Sequence, residues 1–178
     1  TNMLVSTYMK DLMKKTKPSH AYEAIKRNHA PGGMMSYESA DDLKFYVKKG
    51  YCPGNAGKTL EWAFQDWGLS RMALRMGKKT DAALYEKRSR AWTPLFNKNI
   101  GLILPKKENG EWLHTDPLNG QGWVEANAWQ ATWSVSHDLP KLVELMGGGD
   151  AFCKKLNYAF EQARPTDFVH AYSGGYVS

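Results

Sequence analysis

The sequence predicts an all-α fold built from helical hairpins, and three observations carry that prediction. Apolar residues recur at helical spacing through most of the 178-residue chain. Helix-opening and helix-closing residues bracket about eight such stretches. Strand alternation is almost missing, and connections alternate between short and long, as they do when helical hairpins stand side by side. No repeat recurs at a fixed period, which disfavours the usual solenoids.

The elements follow in order. Leu4, Tyr8, Leu12 and Met13 mark a first amphipathic helix. Pro18 and Ser19 open a second, which Pro31-Gly32-Gly33 ends. A third, within "ESADDLKFYVKKGY", stops at Gly50. "KTLEWAFQDWGLSRMALRMGKK" is a long fourth helix whose apolar face carries Leu60, Ala63, Phe64, Trp67, Met72 and Met76, with Gly77 at the left-handed closing position. Thr80 and Asp81 are placed to cap a fifth, and Pro94 ends its regular part. Residues 98–121, rich in Gly, Asn, Pro and Lys, read as a long surface loop with a hairpin around Asn109-Gly110. Loops of this length in compact domains are usually functional. Helix resumes at "WVEANAWQATW". It continues in "HDLPKLVELMGGG", where His137-Asp138 looks more like a helix-start cap than a dyad serving a site, and in "DAFCKKLNYAFEQA", with Asp150 where the dipole favours an acid. The tail from Arg164 is loop-like, and Tyr172 and Tyr176 there fit either a ligand subsite or a self-contained loop.

Composition narrows the function classes. The net charge is +6, but the lysines and arginines sit in short pairs on separate segments, as on solvated helix faces. No nucleic-acid-binding motif is visible, so no nucleic-acid partner is expected. No apolar run reaches the length of a membrane span. Cys52 and Cys153 lack metal-ligand spacing, and a disulfide between them is not decided by sequence. Seven Trp and nine Tyr are many for this length, and they either fill a helical core or line a groove.

One stretch concentrates chemistry. "GWVEANAWQATW" (122–133) sets a single carboxylate, Glu125, among three tryptophans and several amide or hydroxyl side chains. Indole faces suit the apolar face of a sugar ring. A carboxyl pressed on indole is desolvated, which raises its pKa and suits a proton donor. The competing reading is a core helix whose Glu is merely paired. Read as a helix, the segment places Trp129 one turn from Glu125 on a shared face. Asn127 and Gln130 fit binding of sugar hydroxyls, orientation of Glu125 or bonding to neighbouring backbone, and Trp129 fits either stacking on a sugar or core packing. Glu61 and Asp66 fit a second site carboxylate less well than buried anchoring of the long helix, and Trp62 and Trp67 suit the core.

Two stretches resemble glycoside hydrolase family 92. "GYCPGNAGKTLEWAFQDW" is similar to that family's Gly-Tyr-x-Pro loop followed by Thr-Leu-Glu-aromatic-Ala-aromatic-x-Asp-aromatic, and "VEANAWQATWSVSHDLPKLVELMGG" to its Glu-Gly-Asn-Ala-Trp-Gln segment, His-Asp pair and Leu-Met-Gly-Gly stop. "MALRMGKK" and "LFNKNIGLILPKKENGEWL" align in order between them. The chain departs from the family pattern at Gly57-Lys58, Gln65, Ala126 and Ala131, which bears on substrate contacts.

The resemblance implies a calcium-dependent, exo-acting, inverting α-mannosidase with an N-terminal β-sandwich and a C-terminal (α/α)6 toroid. On it, residues 1–178 are a fragment of the toroid, with the sandwich and the C-terminal part of the toroid missing. Glu125 maps onto the general acid; on residue type alone, Asn127, Trp129 and Gln130 are the candidate substrate-binding side chains beside it. Inversion needs a second carboxylate roughly 6.5–9.5 Å away. The family's base segment has no counterpart in residues 126–178, so the isolated chain is expected to be inactive. No calcium ligands are identified in the sequence. The implied partners are a mannose-containing glycan and the remainder of the parent enzyme, and the implied location is the periplasm or the outside of the cell. The alternatives are another (α/α)6 carbohydrate-active enzyme or a non-catalytic carbohydrate-binding helical module.

Overall fold

A computed structural model describes residues 1–33, 40–169 and 174–177. The fold is mostly helical, with eight α-helices and one two-stranded sheet among the described residues. The chain divides into two compact units. One comprises Thr1–Cys52 and Glu61–Ala91, the other Pro53–Leu60 and Trp92–Ser178.

In the first unit, α1 (Asn2–Met9) contributes Val5 to the core. α2 (Pro18–Asn28) has Pro18 in its first turn, where the fixed φ suits a helix and the missing N–H costs nothing. Its buried face is Ala21, Tyr22 and Ile25. α3 (Ala40–Lys49) carries Asp41 and Asp42 in its first turn and Lys48 and Lys49 in its last, matching the helix dipole at both ends. It stops at Gly50, whose φ is +87°. α4 (Ala56–Arg75), which belongs to this unit from Glu61 onward, and α5 (Lys79–Arg88) follow. Gly77, at φ +74°, closes α4 as expected. Val5, Tyr22, Ile25, Leu69, Met72 and Tyr85 pack together as the core of this unit.

The face of α4 differs from its reading in sequence. Leu60, Ala63 and Met72 are buried, but so are Trp62, Asp66, Leu69, Ser70 and Ala73. Phe64 and Trp67 are half-buried and stacked on one another, with ring centroids 5.9 Å apart. The buried stripe therefore runs through a carboxylate. Asp66 Oδ1 meets His29 Nδ1 at 2.7 Å, and its Oδ2 accepts from Tyr46 Oη and Arg88 Nε, both at 2.9 Å. Glu61 is exposed and accepts from Gln65 one turn on, so it is not a buried anchor. Asp81 does not cap α5: its carboxylate accepts from Tyr22 Oη at 2.5 Å and Lys26 Nζ at 2.8 Å. The cap position is Lys78, and Asp81, two residues into the helix, turns its Oδ2 to both side chains of α2.

In the second unit a 3-10 turn at Thr93–Leu95 contains Pro94, six residues beyond the end of α5 at Arg88. β1 (Phe96–Asn97) and β2 (Leu102–Ile103) pair antiparallel, Phe96 opposite Ile103 and Asn97 opposite Leu102. Leu102, Ile103 and Leu104 are fully buried, which corrects the reading of 98–121 as a surface loop. A short apolar run bounded by Gly and Pro serves here as a core strand, a case that periodicity does not separate from a loop. The expected hairpin at Asn109-Gly110 is present: Lys106 bridges to Trp112, and Lys107 N–H donates to the Glu111 carbonyl.

α6 covers only Ala128–Ala131, followed by 3-10 turns at Thr132–Ser134 and Ser136–Asp138. α7 (Leu139–Met146) ends at Gly147, φ +99°, and α8 (Gly149–Gln162) carries Asp150 in its first turn. Asp138 stands at the cap position of α7, but its carboxylate accepts from Trp92 Nε1 at 3.2 Å rather than capping the helix. Cys52 is buried, Cys153 is exposed, and both are free thiols. No helix among the described residues is long and apolar enough to cross a membrane.

Candidate active site

Glu125 does not lie in a helix. α6 begins at Ala128, so Glu125 stands two residues before the cap, Asn127, in a bend with φ +54°. It is one of two non-glycine residues with positive φ among those described. This conformation is costly for a residue with a Cβ and persists only where the surroundings hold it.

Two clamps hold it. Upstream, the Gly122 carbonyl accepts from the N–H groups of Ala56 (2.9 Å) and Gly57 (3.4 Å) at the start of α4. Gly122 itself has φ +85°, and a Cβ there would lie 2.7 Å from Pro105 Cβ and 2.9 Å from the Gly54 carbonyl oxygen. Trp123 is buried next to it. Downstream, Asn127 and Gln130 form a reciprocal capping box. Asn127 Oδ1 accepts from Gln130 N–H at 3.2 Å, and Gln130 Oε1 accepts from Asn127 N–H at 3.1 Å. The Ala128 N–H donates to the Pro117 carbonyl. The Glu125 carboxylate is thus presented on a short segment fixed at both ends.

The enclosure of Glu125 by indole, expected from sequence, is not met within this chain. Glu125 is exposed, whereas Trp123 and Trp129 are buried in the unit's interior. The reason is the late start of α6: without a helix through 123–127, Glu125 and Trp129 do not share a face.

Trp129 packs on Tyr158 and Tyr176, with centroid distances of 5.5 and 5.1 Å, and Lys155 Nζ lies 4.9 Å from its ring centre. Burial lowers the Lys155 pKa, and its ammonium donates to the Ile100 carbonyl. Burial likewise raises the Tyr176 pKa. Trp129 borders an open cleft of about 990 Å³ with Lys98, Ile100, Asp150, Lys155 and Tyr158 on its walls. Glu125 is not among the lining residues.

The side-chain amides of Asn127 and Gln130 are engaged by backbone. Asn127 Nδ2 donates to the Gly175 carbonyl at 2.8 Å, and Gln130 Nε2 donates to the Gly175 and Val177 carbonyls at 3.2 and 3.3 Å. Sequence reasoning missed this link to the tail, which only the fold brings within reach. Tyr172 lies outside the described residues. Among the described residues no group of three or more His, Cys, Asp or Glu side chains is placed to hold a metal ion, so they do not form a calcium site by themselves.

Comparison with known proteins supplies the context for this geometry. The chain matches the glycosyl hydrolase family 92 catalytic domain over residues 1–178. It is 24% identical to an uncharacterized secreted glycosidase of Arthroderma benhamiae, over 88% of this chain and 25% of that protein. Its fold superimposes on a family GH92 inverting mannosidase of Bacteroides thetaiotaomicron with a TM-score of 0.81 and 29% identity, over 89% of this chain and 22% of the other. An α-mannosidase of the same organism shares the fold at a TM-score of 0.80 and 24% identity, over 93% of this chain and 22% of its own length. The chain thus spans about a quarter of the length of the curated relative it matches. The profile match runs through both units and takes in the clamped Glu125 segment: the chain belongs to glycosyl hydrolase family 92.

Proposed function

We propose that this chain is the acid-bearing part of an exo-acting α-mannosidase that inverts the anomeric centre, with Glu125 as general acid. The observation that carries the reading is the backbone of Glu125: an exposed carboxylate held at φ +54° between two clamps, in the segment resembling the family's acid motif. Strained non-glycine residues of this kind concentrate at active sites. The similarity to an inverting mannosidase at 29% identity supports the same reading.

In this reading Glu125 protonates the departing glycosidic oxygen while a base roughly 6.5–9.5 Å away deprotonates the attacking water. The base comes from outside residues 1–178, as does the rest of the (α/α)6 toroid. The substrate is a terminal α-mannoside of a glycan. Trp129, Asn127 and Gln130 act behind the acid, since the ring packs inward and the amides bind backbone. Calcium is held by residues beyond those described. The secreted relative supports a location outside the cytoplasm.

The test is Glu125→Gln in the intact enzyme. Hydrolysis of a mannose-terminated disaccharide should fall by about 10²–10⁴-fold, the usual contribution of a positioned general acid. Undiminished turnover would refute the assignment. The isolated 178-residue chain should not hydrolyse mannosides at all.

A further inference from the structure

We infer that Asn127, Gln130 and Gly175 form a clasp that positions Glu125 relative to the 175–177 backbone. This inference rests on Glu125 being the acid. Each amide performs two tasks with two different atoms. The oxygens of Asn127 and Gln130 close the capping box that starts α6. Their nitrogens both converge on the Gly175 carbonyl, and Gln130 reaches the Val177 carbonyl as well. Capping alone requires only the oxygens, so the amide nitrogens serve a second purpose.

The tail is held from its other side too. A Cβ on Gly175 would lie 2.2 Å from Asp167 Oδ2, so only glycine allows the backbone to pass between that carboxylate and the amides. Asp167 is itself buried and fixed by the Arg164 N–H (3.0 Å) and guanidinium (2.9 Å). Tyr176, between the two clasped carbonyls, lies against Trp129. Asn127 is two residues from Glu125, at most about 7.6 Å between Cα atoms. The clasp therefore ties the acid's segment and the 175–177 backbone to one point. Asn127 and Gln130 are positioning residues, acting on the reaction through Glu125.

The test compares two substrates in the intact enzyme. A dinitrophenyl α-mannoside has a leaving group that departs without protonation, whereas a mannose-terminated disaccharide needs the acid. Asn127→Ser keeps an oxygen for the cap and removes the donor to Gly175. It should slow kcat on the disaccharide by roughly 10- to 100-fold, the scale of a small misplacement of a reacting group. On the dinitrophenyl substrate it should change kcat by less than about threefold, because the acid's contribution is not used there. Gly175→Ala, which displaces the same carbonyl from the tail side, should give the same pattern and stands in if the first variant does not fold. Equal losses on both substrates, or no loss on either, would overturn the clasp. Glu125→Gln is the control. If it discriminates between the substrates while the clasp variants do not, the clasp alone fails. If it spares both substrates, the acid assignment fails and the clasp falls with it.

Discussion

Asp66 grips His29 across 2.7 Å with both side chains fully buried, and the same carboxylate receives Tyr46 and Arg88 on its other oxygen. The partners come from α3, α5 and the residue that ends α2, so one group on α4 ties three other segments of the first unit. Burial and the adjacent Asp66 charge drive the Tyr46 pKa well up, so its hydroxyl stays a donor. The His29 Nε2 meets Thr1 Oγ1 at 3.0 Å, which extends the network to the start of the chain.

Removing Asp66 leaves the Arg88 guanidinium without its carboxylate and the His29 and Tyr46 side chains without their shared partner. Asp66→Ala should therefore cost about 3–5 kcal/mol, more than the loss of a surface pair. Urea unfolding of the intact enzyme, followed by a probe in this segment, checks it. A change under about 1 kcal/mol would mean that the network is not worth what its burial implies.

A second link in the same unit depends on pH. The Lys26 hydrogen bond, and then that of Tyr22, hold Asp81 below the ordinary carboxylate range. Because the folded pKa is depressed, the stabilisation is complete above the unfolded pKa of about 3.9 and is lost as pH falls through the folded value. Asp81→Asn should destabilise by roughly 1–3 kcal/mol at neutral pH, the range for a charge-assisted hydrogen bond. The gap to the wild type should close on acidification below that range. Melting curves from neutral to acid pH measure it, and a constant gap would contradict the linkage.

Gly122 sets the upstream clamp of Glu125. A methyl group there meets Pro105 and the Gly54 carbonyl at under 3 Å, on a backbone at φ +85°. Backbone strain and overpacking together should make Gly122→Ala cost about 2–4 kcal/mol. The shifted carbonyl should also release the Ala56 and Gly57 N–H groups and displace the acid. Lower thermal stability together with slower disaccharide turnover is expected. Unchanged turnover would mean that this clamp does not place the acid.

These relationships divide by how local they are. The helices with closing glycines, Gly50, Gly77 and Gly147, were legible because capping is decided within a few residues. The capping box at Asn127 was visible only as two amides of undecided role, since nothing in the sequence brings Gly175 to them. The stretch 123–127 reads as the start of the helix that carries Trp129 and Trp133, yet the backbone turns left-handed at Glu125. Local propensity lost there to the two clamps, at the one place where the chain presents a candidate acid. A conflict between local preference and fold at a functional residue is what selection for chemistry rather than stability leaves behind.

That conflict makes a final prediction. A left-handed backbone costs a residue with a Cβ about 1–2 kcal/mol, and glycine is largely free of the penalty. Glu125 is exposed, so its side chain contributes little packing to offset the strain. Glu125→Gly should therefore leave the intact enzyme as stable as the wild type or more so, by up to about 1 kcal/mol, since glycine also gains freedom in the unfolded chain. The same substitution should abolish turnover of substrates whose leaving group needs a proton. Glu125→Ala, which keeps the Cβ and the strain, should lose the activity without the gain in stability. If both variants melt alike and below the wild type, the positive φ carries no stored cost, and the carboxylate is held by contacts that its exposure does not reveal.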